Sequence, residues 1–377
     1  MTSVAPRRVA VIGPTASGKS ALALAFAERR SGVEIVSVDS MQVYRGMDIG
    51  TASPSAAERA AVAHHLIDVC DPTEEFTVAR FRDLLDDALL GIAARDAGAV
   101  LVGGTGLYHR CVIDGLDLAG GDDAVRARLE AEATEVGSGV LHERLRALDP
   151  EAADRMEPSN TRRVVRALEV IEVTGRPFSS FGDGLDRYPP TPVAQLGLRW
   201  DRAVLAERIE RRVHAMMASG LLAEVERVLA LSPSRTAMQA LGYAELAEHL
   251  RGSCSLDEAV ESTVVHTRQF AVRQERWFRR DPRIRWVDIT ADPVAEAIDV
   301  LDELEPVRPD RSARDQEADD RHGADPRGDV GDDRAGDNQQ CQVREQWWSG
   351  GCKHRRSADL GAERARPFVG VPPFGVA

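Results

Sequence analysis

A chain of 377 residues, 43% of them hydrophobic, is long enough for about two domains and apolar enough to bury a sizeable core. Its net charge of −13 argues against a uniformly basic nucleic-acid binder, yet "TRRVVR" (161–166) and "TRQFAVRQERWFRR" (267–280) are locally basic, while acidic residues crowd "RDQEADDRHGADPRGDVGDD" near the C-terminus. Five scattered cysteines (Cys70, Cys111, Cys254, Cys341, Cys352) argue against a disulfide scaffold or a zinc ribbon. The first apolar run stops at Gly13, too early for a signal segment or a membrane span, so a cytoplasmic protein without membrane association is expected; a monomer is expected as well, although nothing in the residues fixes the oligomeric state.

In chain order, near-continuous apolar runs end in turn residues at "VAVIG" (9–13), "EIVSVDS" (34–40) and "AVLVGGTG" (99–106), with helix-like segments between them. Runs of this kind are the pattern of strands buried on both faces of a parallel α/β sheet. From about 120 to 185 no strand is expected. Instead "DDAVRARLEAEATEVG" (122–137), "GVLHERLRALDPEAADRM" (139–156) and "NTRRVVRALEVIEVTG" (160–175) have helical character. "VAQLGLRW" (193–200) reads as a returning strand, followed by helices to about Arg280 and a short strand "IRWVDI" (284–289). The expected architecture is an α/β core over 1–118 and 186–305, with a mainly parallel sheet flanked by helices. A helical insertion occupies 119–185, and a disordered tail, rich in Asp, Arg, Gly and Pro, occupies 306–377.

The stretch "GPTASGKS" (13–20) fits the phosphate-loop pattern GxxxxGK[ST], and it sits between a strand and the helical "SALALAFAERR" as that pattern requires. Glycines let the backbone turn its N–H groups and the helix N-terminus towards a polyphosphate, Lys19 can reach two phosphate groups, and Ser20 can ligate magnesium. Lys19 is the only lysine before Lys353 in a chain that otherwise uses arginine, and a compact ammonium fits such a loop where a planar guanidinium does not. The motif alone admits ATP and a kinase reaction, with Asp39 at the end of "EIVSVD" as metal ligand or base. Against that, "VLVGGTGLY" ends its strand in Gly103, Gly104 and Thr105 in place of an acidic residue. Glycines there suggest that something lies directly against the backbone.

Seven segments in order resemble the tRNA dimethylallyltransferase (tRNA isopentenyltransferase, IPP transferase) family over residues 7 to about 290. They are "GPTASGKS" (13–20), "DSMQVYRGMDIGTA" (39–52), "HHLIDV" (64–69), "VGGTGLY" (102–108), "RRVVRALEV" (162–170), "RIERRVHAMMASGLLAEV" (208–225) and "ALGYAEL" (240–246). The resemblance implies transfer of a dimethylallyl group from its diphosphate to the exocyclic amine of the adenosine 3′ to the anticodon, with the loop holding a leaving group and not ATP. By match, Gly13, Pro14, Thr15, Ala16, Ser17, Gly18, Lys19, Ser20 and Arg212 hold the diphosphate, and Ser20 holds Mg2+. Thr105 donates to the bridging oxygen, and Asp39 takes the proton of the amine. Asp39, Ser40, Met41, Gln42 and Thr105 line the target base, while Arg126, Arg162, Arg163, Val164, Val165 and Arg166 contact the tRNA. Taken singly, Asp39 is also an ordinary turn or cap residue, Thr105 a small turn residue, and each arginine part of a solvated helix face.

Other features carry less. His64 and His65 are adjacent and point in different directions, which favours structural roles over a metal site. Trp277 and Phe278 in "QERWFRR" can touch RNA or pack the helix on the sheet. The rival readings are a phosphate-loop kinase acting on a small metabolite, a relative that prenylates free AMP or ADP, and a non-catalytic RNA-binding module. The free-nucleotide reading has no use for the arginine-bearing insertion, and the RNA module has none for a phosphate loop beside Asp39.

Overall fold

The computed structural model describes residues 8–116, 120–181, 185 and 187–304. The tail from 306, Cys341, Cys352 and the expected joint at 118/119 lie outside the described residues. The apolar runs form one six-stranded sheet: β1 (Arg8–Ile12), β2 (Val33–Ser37), β3 (His64–His65), β4 (Gly98–Gly103), β5 (Ala194–Trp200) and β6 (Ile284–Ile289), in the order β3-β2-β4-β1-β5-β6. Every neighbouring pair is parallel, as β1 with β4 (Val11 beside Val102) and β1 with β5 (Val11 beside Leu196). Edge strand β3 was not expected, because two residues are too short to show any period.

Continuous hydrophobicity in these strands has a direct cause. In β1, Val9 and Val11 point into one apolar layer with Leu22 and Phe26 of the helix Lys19–Arg29 and Ile298 and Leu301 of Pro293–Leu304; Ala10 points into the other, with Phe81, Leu85 and Ile92 of Val78–Ala94. β4 divides likewise, Val100 and Val102 against Ala99 and Leu101. With both faces covered, no position in the strand can be polar by alternation.

Residues 123–174 supply helices Asp123–Val136, Ser138–Leu148, Pro150–Asp154 and Thr161–Thr174 around their own apolar centre of Leu129, Leu141, Leu145, Met156, Val164, Val165 and Leu168. The stretch 139–156, expected as one helical segment, breaks at Asp149. Pro150 has no N–H to continue the ladder, and the Asp149 carboxylate accepts from Ala152 N and caps a new helix. Asp122 and Asn160 cap the first and last of these helices. Among the described residues no helix is long and apolar enough to cross a membrane.

One buried carboxylate joins three segments that are far apart in sequence. Glu224, only 1% exposed, accepts the backbone N–H groups of Asp48 (3.0 Å), Ile49 (2.9 Å) and Gly50 (2.9 Å) and the Tyr243 hydroxyl (2.6 Å). Truncating it leaves all four donors without this acceptor, the Tyr243 hydroxyl in the interior. Glu224→Ala should therefore lower the free energy of unfolding by about 3 kcal/mol in a urea titration. A loss under about 1 kcal/mol would show that the network adds little.

Candidate active site

Three strand ends meet at the carboxyl edge of the sheet. β1 lies between β4 and β5, and the chain leaves it towards β2 on one side, whereas β4 leads across to β5 on the other. Parallel α/β sheets open a crevice where strand connections diverge in this way. Into it run Gly13–Ser20 after β1, Val38–Gln42 after β2 and Gly104–Thr105 after β4, and a cavity of about 540 Å3 lies there.

The loop after β1 is braced from outside. Trp200 Nε1 donates to Ser17 O (2.9 Å), Arg208 Nε donates to Ala16 O (3.0 Å), and the Arg208 guanidinium stacks over the Trp200 ring at 4.1 Å. Ala16 takes a positive φ of 62°. Gly18 has φ 92°, and a methyl there would sit 2.3 Å from Pro293 Cγ, so backbone shape and helix packing both demand glycine. With its outer carbonyls held and no side-chain cap at Gly18, the helix Lys19–Arg29 offers bare N–H groups to the cavity, the ordinary setting for an anion. Of the expected loop residues, Thr15, Lys19 and Ser20 line the cavity; Gly13, Pro14, Ala16, Ser17 and Gly18 shape the loop behind them. Ser17 is fully buried, and its hydroxyl has no hydrogen-bond partner among the described residues.

Charge in the cavity is lopsided. Burial pushes the Lys19 ammonium down to about 8, with Asp39 opposing and Arg212 adding to the fall. Burial also lowers Arg212, again opposed by Asp39. Asp39 follows β2 and accepts Met41 N–H (2.9 Å), an Asx turn that holds its carboxylate at the strand end. Thr105 Oγ1 accepts Ser40 N–H (3.1 Å) and donates to Ser40 Oγ (3.3 Å), pinning the β4 turn to the β2 turn. Asp39, Ser40, Met41, Gln42, Thr105 and Arg212 thus share one wall system with Lys19 and Ser20. Gln42 is committed to the protein: its Oε1 accepts from Ser37 Oγ (2.7 Å), and its Nε2 donates to Thr51 O (3.4 Å) and Ala52 O (3.1 Å).

The close approach expected at the β4 glycines is real, but what lies there is the protein. A methyl at Gly103 would be 2.0 Å from Val38 O, and one at Gly104 would be 2.2 Å from Gln274 Nε2. Phe278 is buried against Ile12 and Ile284, with Trp277 packed on them, so these aromatics fix the helix Leu256–Phe278 to the sheet. Reading 267–280 for its arginines overlooks Phe270 and Gln274, which line the cavity from that helix together with Arg273. Gln239, Ala240 and Leu241 were also overlooked; nothing in their residue types signals a site.

Of the arginines in the helical segment, Arg162 reaches the cavity lining. Arg126 and Arg166 are not a loosely solvated face. Both bond the fully buried Glu169 carboxylate, Arg126 through Nη2 (2.8 Å) and Nε (3.2 Å), Arg166 through Nη1 (2.8 Å), and Glu169 also accepts Asp122 N–H (2.9 Å). Burial alone would raise the Glu169 carboxyl, but the two guanidiniums hold it below its ordinary value. Arg162 and Arg163 are exposed and have no ion pair among the described residues. Val164 and Val165 require correction as RNA contacts. They are 0% and 2% exposed in the centre of the helical segment, on the face opposite the free arginines, and have no surface to offer. His65 pairs with Glu34 (2.6 Å) in the sheet edge, while His64, held by Val62 O (2.8 Å), borders the cavity. Among the described residues no group of three or more His, Cys, Asp or Glu side chains could hold a metal.

Fold and site together define a doubly wound α/β protein with a glycine-rich loop and an uncapped helix facing a carboxylate across one polar cavity. A family profile described as IPP transferase matches residues 42–281. A tRNA dimethylallyltransferase of a Nocardioides species is 51% identical over 281 residues, covering 74% of this chain and 90% of that protein; one from Streptomyces coelicolor is 49% identical over 285 residues, covering 75% and 90%. Among solved structures, the full-length tRNA isopentenylpyrophosphate transferase of Bacillus halodurans is 37% identical with a TM-score of 0.58, covering 84% of this chain and 99% of its own. A eukaryotic dimethylallyltransferase captured acting on tRNA is 25% identical with a TM-score of 0.66, covering 82% and 83%. The chain belongs to the IPP transferase family.

Proposed function

We propose that this protein transfers the dimethylallyl group of dimethylallyl diphosphate to the exocyclic N6 amine of the adenosine 3′-adjacent to the anticodon in tRNA, working as a cytoplasmic monomer. The observation that carries this reading is the single cavity that places Lys19, Ser20 and Arg212 within reach of the same space as Asp39 and Thr105, with Arg162 of the helical segment on its border.

The chemistry follows from that arrangement. The N6 lone pair attacks C1 of the dimethylallyl group, the C1–O bond to diphosphate breaks with its electron pair going to oxygen, and the N6 proton must leave. Lys19, the bare amides at the start of the helix and Arg212 stabilise the charge that grows on the departing diphosphate. The Thr105 hydroxyl keeps its bond from Ser40 N–H and can rotate its own hydrogen from Ser40 Oγ towards the bridging oxygen. Asp39 accepts the proton. The exposed Ser20 hydroxyl lining the cavity is a hard oxygen donor of the kind Mg2+ prefers, and diphosphate oxygens and water would complete its set without a protein cage. When bound there it supplies further charge neutralisation on the leaving group. A kinase would need an acidic residue at the end of β4, where this chain has Gly103, Gly104 and Thr105. The target base must leave its stack to reach Asp39, and Arg162 and Arg163 are placed to hold the surrounding phosphates, with Arg126 and Arg166 beside them.

The deciding test is incubation with dimethylallyl diphosphate, Mg2+ and unmodified tRNA, followed by mass analysis of the nucleosides, with Asp39→Ala in parallel. Wild type should yield isopentenyladenosine, and the variant should lose about 10²- to 10⁴-fold in turnover while its tRNA affinity stays near wild type. Lost affinity with normal single-turnover chemistry would move Asp39 from proton transfer to binding.

Lys19 makes diphosphate binding proton-linked. In the free protein its value is depressed to about 8, and a bound polyanion restores it upward, so above that pH each binding event takes up a proton. Relative to Lys19→Met, in which the ligand's own ionisation is unchanged, wild-type affinity for inorganic diphosphate should fall as pH rises through about 8, with the extra proton uptake read by calorimetry in two buffers. No extra proton uptake on the alkaline side would mean that Lys19 does not meet the anion.

The double variant Arg162→Ala, Arg163→Ala should weaken tRNA binding and reduce the slope of log affinity against log salt by about 1.5. An unchanged slope would return these arginines to the role of a solvated face.

A further inference from the structure

The helix Leu256–Phe278 contributes one polar side chain that touches both walls of the cavity. Gln274, 6% exposed, accepts the backbone N–H of Thr15 through Oε1 (2.8 Å) and donates from Nε2 to the backbone carbonyl of Gly104 (2.9 Å). These two contacts fix the orientation of its amide, since an N–H needs the oxygen and a carbonyl needs the nitrogen. The bridge spans 259 positions of sequence on one side and 170 on the other, so no local turn can replace it. Its support is rigid, because one turn further on Phe278 is buried against Ile12 and Ile284. The cleft is also shaped to receive it: any side chain at Gly104 would collide with Nε2.

We propose that Gln274 is a positioning residue that sets the separation between the diphosphate loop and Thr105. Thr15 opens the loop and Gly104 immediately precedes Thr105, so the amide acts as a strut between the group that holds the leaving diphosphate and the hydroxyl that meets its bridging oxygen. The strut also takes the Thr15 N–H away from the anion, so the leaving group is held by Lys19, Arg212 and the amides that follow Thr15. This rests on the prenyl-transfer reading above. Its energetic importance comes from geometry, because donors aimed at developing charge lose their effect when displaced by about 1 Å.

A buried bridge that needs one acceptor and one donor makes a chemically specific test. Gln274→Met keeps the volume and removes both bonds. It should lower kcat about 10- to 100-fold while the KM for tRNA and the far-ultraviolet circular dichroism stay at wild-type values. Gln274→Glu presents an ionised oxygen to the Gly104 carbonyl at neutral pH but regains a donor once protonated, and burial raises the pH at which that occurs. Its activity relative to wild type should therefore climb as pH falls, whereas that of Gln274→Met should not. Wild-type turnover in Gln274→Met, or a pH-independent ratio for Gln274→Glu, would overturn the proposal while leaving prenyl transfer standing. A wild-type enzyme that transfers no prenyl group would overturn the underlying reading and this inference with it.

Discussion

Two cations and one carboxylate held around a half-buried space are the constraint on which this structure turns. Lys19 and Arg212 each lose hydration on folding, Arg212 further lowers the tendency of Lys19 to hold its proton, and Asp39 opposes the fall at both. An arrangement of this kind suits a polyanionic ligand, as the proposed function requires. Desolvation that is unfavourable in the free protein makes the same charges act more strongly on a phosphate, since fewer waters compete and the local dielectric is lower. The bare helix start adds amide dipoles of the same sign and needs no reorganisation when charge moves.

That space is braced by polar groups bonded to the protein itself. Trp200 and Arg208 hold the outer carbonyls of the loop, and Gln274 ties the Thr15 amide to the neighbouring turn. Glu224 gathers the amides of Asp48, Ile49 and Gly50, so the chain that follows Asp39 runs on a fixed course, and Gln42 locks Thr51 and Ala52 to the end of β2. In the helical segment Glu169 performs the corresponding task for Arg126 and Arg166. Glu224 and Glu169 are buried carboxylates satisfied by several donors, the condition under which a buried polar group stabilises and does not penalise the fold.

Much of the fold could be read from local pattern. Strands β1, β2, β4, β5 and β6 appear as apolar runs because both faces are covered, and the helices around 122–175 show their caps at Asp122 and Asn160. What escaped was long-range. β3 consists of two residues whose pairing with Ile35 and Val36 is a tertiary fact. Lys19 and Ser20 were legible through the phosphate-loop spacing, and Asp39, Thr105 and Arg212 came to the cavity through the family resemblance, but Gln274, Glu169 and Glu224 were not legible, because a glutamine or glutamate in a polar helix looks like solvated surface until its partners are known. Val164 and Val165 erred in the opposite sense: they sit inside a matched motif, yet their apolar side chains serve the helical core, and only the flanking arginines reach outward.

The solitary lysine has a physical explanation in the same terms. An arginine at position 19 would stay charged at any accessible pH and would require space for a planar fork among Pro14, Asp39 and Arg212. The ammonium instead rests on Pro14 O at 3.3 Å and titrates near 8, so the free site can relieve its own charge repulsion by giving up a proton and recover it when an anion arrives. Arg212 has no such freedom, which places the adjustable charge on the loop itself, next to the helix start. A chain that chooses arginine at every other basic position of its described core keeps lysine at the one place where a compact, titratable cation is an advantage.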